Sequence, residues 1–150
     1  MADMDSLPAT KTKRIILLED EQELSKLFEY CIREWFKNAE LVRVGSDDAA
    51  LAEMARKPPD LLVLDWNHPG LTGHIMLEQL AKIHVTCPVL LVSEFFGEHL
   101  KMLVDRGLKV GYLPKPFGIQ EFWDALNQLV GPSDFPERQI RIKQLFKSGF

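Results

Sequence analysis

Short apolar runs of strand length alternate along the chain with longer stretches in which apolar residues recur every three or four positions. The first run, Arg14 to Leu18, ends abruptly in Glu19, Asp20 and Glu21 and predicts a central strand buried on both faces. Beyond it, Leu24, Leu27, Phe28, Cys31, Ile32 and Trp35 fall on one stripe of a helix. Leu41 to Val44 predicts a second strand. Ser46 or Asp47 then caps a helix carrying Leu51, Met54 and Ala55 inward, which Pro58 and Pro59 end. Leu61 to Leu64, bounded by Asp60 and Asp65, predicts a third strand, and Trp66 to Gly73, with Pro69 and Gly70, a loop. Helical periodicity resumes near His74 with Met76, Leu80 and Ile83 inward, and Pro88 introduces a fourth strand, Val89 to Val92. A fourth helix, Gly97 to Arg106, turns Leu100, Leu103 and Val104 inward and stops at Gly107. The fifth strand covers Val110 to Leu113. A last helix, Ile119 to Val130, carries Ile119, Phe122, Trp123, Leu126, Leu129 and Val130 on its apolar stripe, and Gly131 and Pro132 close it.

Strand followed by helix, five times over and through short connections, demands a parallel sheet with right-handed crossovers and helices on both faces. The expected architecture is a doubly wound α/β domain of five parallel strands. The strong periodicity covers residues 14–130, leaving 1–13 as an N-terminal segment and 131–150 as a C-terminal extension. A chain of 150 residues has room for one ordinary domain. Its 46% apolar and 27% charged content is that of globular chains, not of disordered ones. No apolar run reaches the roughly 18 residues of a spanning helix, and residues 1–13 do not read as a signal peptide, so a cytoplasmic protein without membrane insertion is expected. Cys31 and Cys87 are too few for a disulfide framework and lack partners at zinc-ligand spacing, so both are expected to be buried thiols. The net charge of -4 conceals four basic residues and one acidic residue within Glu137 to Phe150, leaving residues 1–136 at -7. Such an acidic body argues against the broad positive footprint of a nucleic-acid binder.

In open parallel sheets, ligands bind beyond the carboxyl ends of the strands where strand order reverses. The residues there are Glu19 and Asp20 after strand one, Asp65 after strand three, Ser93 after strand four and Lys115 just after strand five. With the flavodoxin-like order 2-1-3-4-5, strands one and three are neighbours and Glu19, Asp20 and Asp65 converge. Their repulsion must be offset by protons or a cation. Oxygen donors without convergent His or Cys favour Mg²⁺, completed by a phosphoryl oxygen. Asp65 then stands as an oxygen nucleophile, Lys115 as a mobile cation for phosphoryl charge and Ser93 as a hydrogen-bond donor to it.

This ordered set resembles the receiver domain of two-component response regulators. The residues that carry the resemblance are Ile15 to Glu21, Pro59 to Asp65 with Pro69, Gly70 and Gly73, Pro88 to Ser93, and Gly111 to Phe117, spanning residues 14 to 130. The resemblance implies that Asp65 is the phosphoacceptor. It implies further that Glu19, Asp20, Asp65 and the main-chain carbonyl of Asn67 hold Mg²⁺, and that Ser93 and Lys115 contact the phosphoryl group. The Lys115-Pro116 bond is often cis in such domains, and Tyr112 is the aromatic whose rotamer reports activation. Implied partners are a sensor histidine kinase or histidine phosphotransfer protein, and an effector on the face of the fourth helix, fifth strand and fifth helix. Phosphorylation adds charge at Asp65, Ser93 moves to meet it, and Tyr112 fills the vacated space. Glu19 stands where Asp is commoner. Glu94 stands where the family usually has a small residue, and as a bulky anion it is expected to guard the site against water and anionic phosphodonors and so slow exchange. The stretch Gly107 to Tyr112 is one residue longer than usual.

The competing readings belong to other classes. A pseudo-receiver would bind its partner without phosphorylation, whereas the full complement of acidic, hydroxyl and amine groups favours a phosphoacceptor. A phosphatase on a similar fold is disfavoured because Asp65-Trp66-Asn67 lacks the second Asp of the Asp-x-Asp nucleophile motif and no Gly-rich phosphate loop is present. His68, His74, His84 and His99 are scattered and receive no chemistry. The tail from Pro136 to Phe150, with Ile140, Ile142, Leu145 and Phe146 among basic residues, suits a short amphipathic helix: packing back on the domain, a phosphorylation-linked dimer contact or the start of a linker. Twenty residues after Val130 cannot form a helix-turn-helix domain, so DNA binding by this chain alone is not expected.

Overall fold

The computed structural model describes residues 13–19, 21–66, 78–83, 85–94, 107–135 and 137. Its elements in chain order are β1 (Lys13–Leu18), α1 (Gln22–Trp35), β2 (Ala39–Val44), α2 (Asp47–Arg56), β3 (Leu61–Trp66), β4 (Val89–Ser93), β5 (Val110–Pro114) and α3 (Ile119–Val130). Residues 78–82 are also helical. All adjacent strands pair in parallel, in the order β2-β1-β3-β4-β5. The helix expected over Gly97 to Arg106, the loop expected after β3 at 67–73 and the tail beyond residue 137 lie outside the described residues.

Strand alternation divides the core into two layers. Ile15, Leu17, Leu61, Val63, Leu90, Val92 and Leu113 meet Phe28, Cys31, Ile32 and Trp35 of α1 and Phe122, Trp123, Leu126 and Leu129 of α3. On the opposite face, Ile16, Leu62, Leu64, Val89 and Leu91 meet Ala50 and Met54 of α2 and Leu80. This two-sided covering is why β1, β3 and β4 read as continuous apolar runs rather than alternating ones. Each fully buried large side chain contributes roughly 1.5–3 kcal/mol from removal of apolar area from water. On the first face, Phe28, Phe117 and Phe122 pack ring against ring, Trp35 stacks on Trp123 at 6.5 Å, and Trp123 Nε1 donates to the Cys31 carbonyl at 3.2 Å. Both cysteines are buried free thiols, as expected.

Three expectations are corrected. Ile83 is 53% exposed rather than core, because the helix at 78–82 has already ended; Leu80 is buried as expected, and Met76 lies outside the described residues. In α2 the buried stripe is Ala50 and Met54 with Leu51 partly covered, while Ala55 is exposed. Alanine at four of its ten positions leaves little contrast between faces, so the stripe is one residue out of place. Arg14, read as the start of an apolar run, is itself only 2% exposed. Its guanidinium donates to the Lys57 and Glu53 carbonyls at the C-terminus of α2 and pairs with Glu40 at 3.0 Å and Glu53 at 2.8 Å. A paired, hydrogen-bonded charge at a helix C-terminus is tolerated in burial.

The expected cap holds: Ser46 Oγ accepts from Ala49 N at 3.1 Å and starts α2. Strands β3, β4 and β5 run one or two residues further than expected, which carries Asp65 and Ser93 into the sheet itself. The longer stretch before Tyr112 turns at Gly107, where φ is +83°, and plants Leu108 in the second core layer. After α3, Gly131 at φ +92° lets the chain double back. Ser133 Oγ and Asp134 N then donate to the Trp35 carbonyl at 3.0 and 2.9 Å, and Asp134 Oδ2 accepts from Lys37 N at 2.7 Å. Residues 131–135 thereby satisfy the C-terminal end of α1.

Candidate functional site

Register places the acidic pair. Leu17 is opposite Val63 and Leu18 opposite Leu64, so continuing one step sets Glu19 beside Asp65 on neighbouring strands. Both follow the alternation of Leu17 and Val63 and therefore face the α1/α3 side. Glu19 is 2% exposed, and its Oε1 accepts from Glu21 N at 2.8 Å, a bond made just before α1 begins. The Asp65 side chain has no solvent exposure, and Lys115 Nζ stands 2.6 Å from its Oδ1. Lys115 reaches it from the turn after β5, where its own N–H is held by the Ser93 carbonyl at 2.9 Å and the Lys115-Pro116 peptide is cis.

Two like-charged groups in a buried site cannot both ionise cheaply. Burial pushes the Glu19 carboxyl up to about 8; its hydrogen bond with Asp65 and the Asp65 charge add to the rise, while the Glu21 N–H and Lys115 oppose it. Apart from the proton they can share, Glu19 Oε2 and Asp65 Oδ2 are buried acceptors with no donor among the described residues. That orphaned oxygen pair, with no His or Cys ligand beside it among the described residues, fits a hard divalent cation such as Mg²⁺. Among the described residues no cluster of three His, Cys, Asp or Glu forms. The third expected carboxylate, Asp20, and the Asn67 carbonyl lie outside those residues.

Ser93 is buried, ends β4 and lies opposite Trp66, one residue beyond Asp65. Tyr112 on β5 belongs to the second core layer, and its hydroxyl donates to the Ser93 carbonyl at 3.2 Å. One carbonyl thus receives both the Tyr112 hydroxyl and the Lys115 N–H. Glu94 is exposed and lines a groove of about 550 Å³ together with Glu21, Leu24, Leu27, Lys115, Pro116 and Phe117, and Lys115 links that groove to the buried acids. Glu19, Asp65 and Lys115 are therefore brought into contact, Ser93 and Tyr112 are joined to them through the backbone, and Glu94 stands at the rim. The motif includes Glu21 without giving it a role, yet its N–H orients Glu19 and its side chain shares the groove. Its signal is present in the acidic triplet Glu19-Asp20-Glu21, where the third residue reads only as the end of a run.

Comparison with known proteins points the same way. The response regulator receiver domain family matches residues 15–127. The response regulator protein FleR of Pseudomonas aeruginosa is 29% identical over 126 residues, covering 81% of this chain and 26% of that protein. The sensory transduction protein RegX3 of Mycolicibacterium smegmatis is 30% identical over 110 residues, 71% of this chain and 46% of that protein. The chain thus spans about a quarter to a half of the length of these relatives. Among solved structures, the non-phosphorylated HemR receiver domain of Leptospira biflexa superposes with a TM-score of 0.66 at 22% identity, covering 81% of this chain and 97% of that one. A CheY-like receiver domain from Methylobacillus flagellatus gives 0.63 at 22%, covering 79% and 99%. At these identities the structural likeness is one of fold.

Proposed function

Because the chain belongs to the response regulator receiver domain family, we propose that it is a switch controlled by Mg²⁺-dependent phosphorylation of Asp65. The observation that carries this reading is the buried contact of the Asp65 carboxylate with Lys115 on one side and the Glu19 carboxyl on the other. A structural acid needs one counter-charge. Here an acid is given both an ammonium and a second buried carboxyl whose pKa burial raises, an arrangement suited to receiving a dianion and a dication together. The pseudo-receiver alternative loses ground because none of the reactive groups in the described part of the site is missing.

In this reading Asp65 provides the attacking oxygen, and Lys115 shifts from the Asp65 carboxylate toward the arriving phosphoryl oxygens. Ser93 donates its hydroxyl to a phosphoryl oxygen. Glu19 and Asp65 would hold the metal, joined by Asp20 and the Asn67 carbonyl. Bound Mg²⁺ would supply positive charge against the phosphoryl oxygens. Tyr112 follows Ser93 because its hydroxyl is bonded to the Ser93 carbonyl, which carries the change to β5 and α3, the described elements of the expected output face. Residues 14–130 form the receiver unit, 1–13 an N-terminal segment and 131–150 an extension. Partners are a histidine kinase or phosphotransfer protein as donor and an effector on the output face, with a phosphorylation-linked homodimer as a further form, in the cytoplasm. Among the described residues no helix is long and apolar enough to cross a membrane.

The test is the mass of the intact chain after incubation with Mg²⁺ and a phosphodonor or kinase. Wild type gains one phosphoryl group, Asp65→Asn gains none, and chelation of Mg²⁺ suppresses the gain. A wild type that stays unmodified under several donors would move the assignment to the pseudo-receiver. Glu94 in the groove is expected to slow loss of the phosphoryl group, so Glu94→Ala should shorten its lifetime several-fold when the decay is followed by mass.

A further inference from the structure

We propose that Glu21 and Glu94 together form a charge filter that selects the phosphodonor, an inference that rests on the phosphoacceptor reading of Asp65. The two side chains come from different elements, Glu21 from the residue before α1 and Glu94 from the residue after β4. Both are exposed, and both line the same groove as Lys115, whose side chain is 12% exposed and already engaged with the buried Asp65. A donor that enters this groove toward Lys115 meets both carboxylates, while the ammonium that would attract it is only 12% exposed. Among the described residues the remainder of the lining is Leu24, Leu27, Pro116 and Phe117, whose side chains offer no hydrogen-bond donor to an anion.

Repulsion between rim and donor scales with donor charge and is screened by salt. A small dianion is therefore disfavoured relative to a donor with less negative charge, and a donor bearing positive charge next to its phosphoryl group is favoured. The transfer itself is balanced in the ordinary way. The bond between phosphorus and the bridging atom breaks, its electron pair leaves with that atom, and a new P–O bond forms to an Asp65 oxygen.

The test uses the full chain with fixed Mg²⁺ and two small donors: acetyl phosphate, a dianion that releases acetate, and phosphoramidate, which has one less net negative charge and releases ammonia. Initial phosphorylation rates are read by intact mass for wild type, Glu21→Gln/Glu94→Gln and Asp65→Asn. The double variant is expected to gain about fivefold with acetyl phosphate and about twofold with phosphoramidate, from two exposed charges acting through salt solution. The wild-type rate with acetyl phosphate should rise as salt is raised, and the variant should lose that dependence. Equal gains with both donors, no gain with either, a salt dependence unchanged by the substitutions, or a double variant that accepts no phosphate would each overturn the filter. Phosphate appearing on Asp65→Asn as well would instead overturn the phosphoacceptor reading, so the two failures are distinct.

Discussion

Glu19 and Asp65 show how two side chains of one kind acquire different states from position alone. Glu19 follows the last residue of β1, Asp65 is the penultimate residue of β3 and both face the same layer, yet Glu19 has a backbone donor on one oxygen and Asp65 has an ammonium. Glu19 is an acid whose folded pKa, about 8, lies above its ordinary 4.5, chiefly through burial. The folded state then binds the extra proton between those two values, so stability without metal is greatest below about 4.5 and is lost as pH rises through about 8. Over that window the metal-free protein should lose on the order of a few kcal/mol. Mg²⁺ needs the ionised carboxyl, so adding it should flatten the profile, and a series of melts from about pH 5 to about pH 9 with and without Mg²⁺ checks both halves. Glu19→Gln should remove the pH dependence as well as the response to Mg²⁺. The reactive residues were legible as single letters at strand ends; the proton on Glu19 was not, because it depends on a neighbour 46 residues away in the chain.

At the scale of elements, α1 and α3 were the most legible parts of the chain, since each carries large apolar residues at helical spacing over three turns or more. Their closure was not visible. Residues 131–135 read as a helix stop and a tail, but they return to cap α1 through Ser133 and Asp134. Ser133→Ala removes a donor to the Trp35 carbonyl and an acceptor for Phe135 N, so a loss of about 1–2 kcal/mol is expected in urea unfolding. Arg14 behaves similarly at the start of β1. Arg14→Met leaves the Lys57 and Glu53 carbonyls without that donor, and at about 1 kcal/mol each a loss of about 2 kcal/mol is expected by the same measurement. The displaced stripe of α2 and the exposed Ile83 have a common cause. Small residues and helix ends do not impose a face, so neighbours decide it.

Across the whole molecule, the sheet places chemistry at one edge and structural closure at the other. Arg14, Lys57 and Asp60 tie the start of β1 to the end of α2, while Glu19, Asp65, Ser93 and Lys115 gather at the strand C-termini. The Ser93 carbonyl joins the acid site to Tyr112 and to the backbone of Lys115. If phosphorylation moves Ser93, the change must first be felt at β5. Hydrogen exchange followed by mass spectrometry should therefore show altered protection in residues 107–117 on phosphorylation, with the Arg14 edge of the sheet unchanged. Uniform change over the domain, or none at 107–117, would break the proposed route from Asp65 to the output face.

The sequence alone determined the element types, the two-sided burial of the sheet and the short roster of reactive residues, because these follow from periodicity and from what each side chain can do. Only the tertiary structure decided that β1 and β3 are adjacent in register and that Lys115 reaches back to Asp65. It also decided that Glu21 and Glu94 line one groove and that the chain after α3 seals α1. Those facts depend on distances between residues far apart in the chain, and such distances are set by packing the whole rather than by any local pattern.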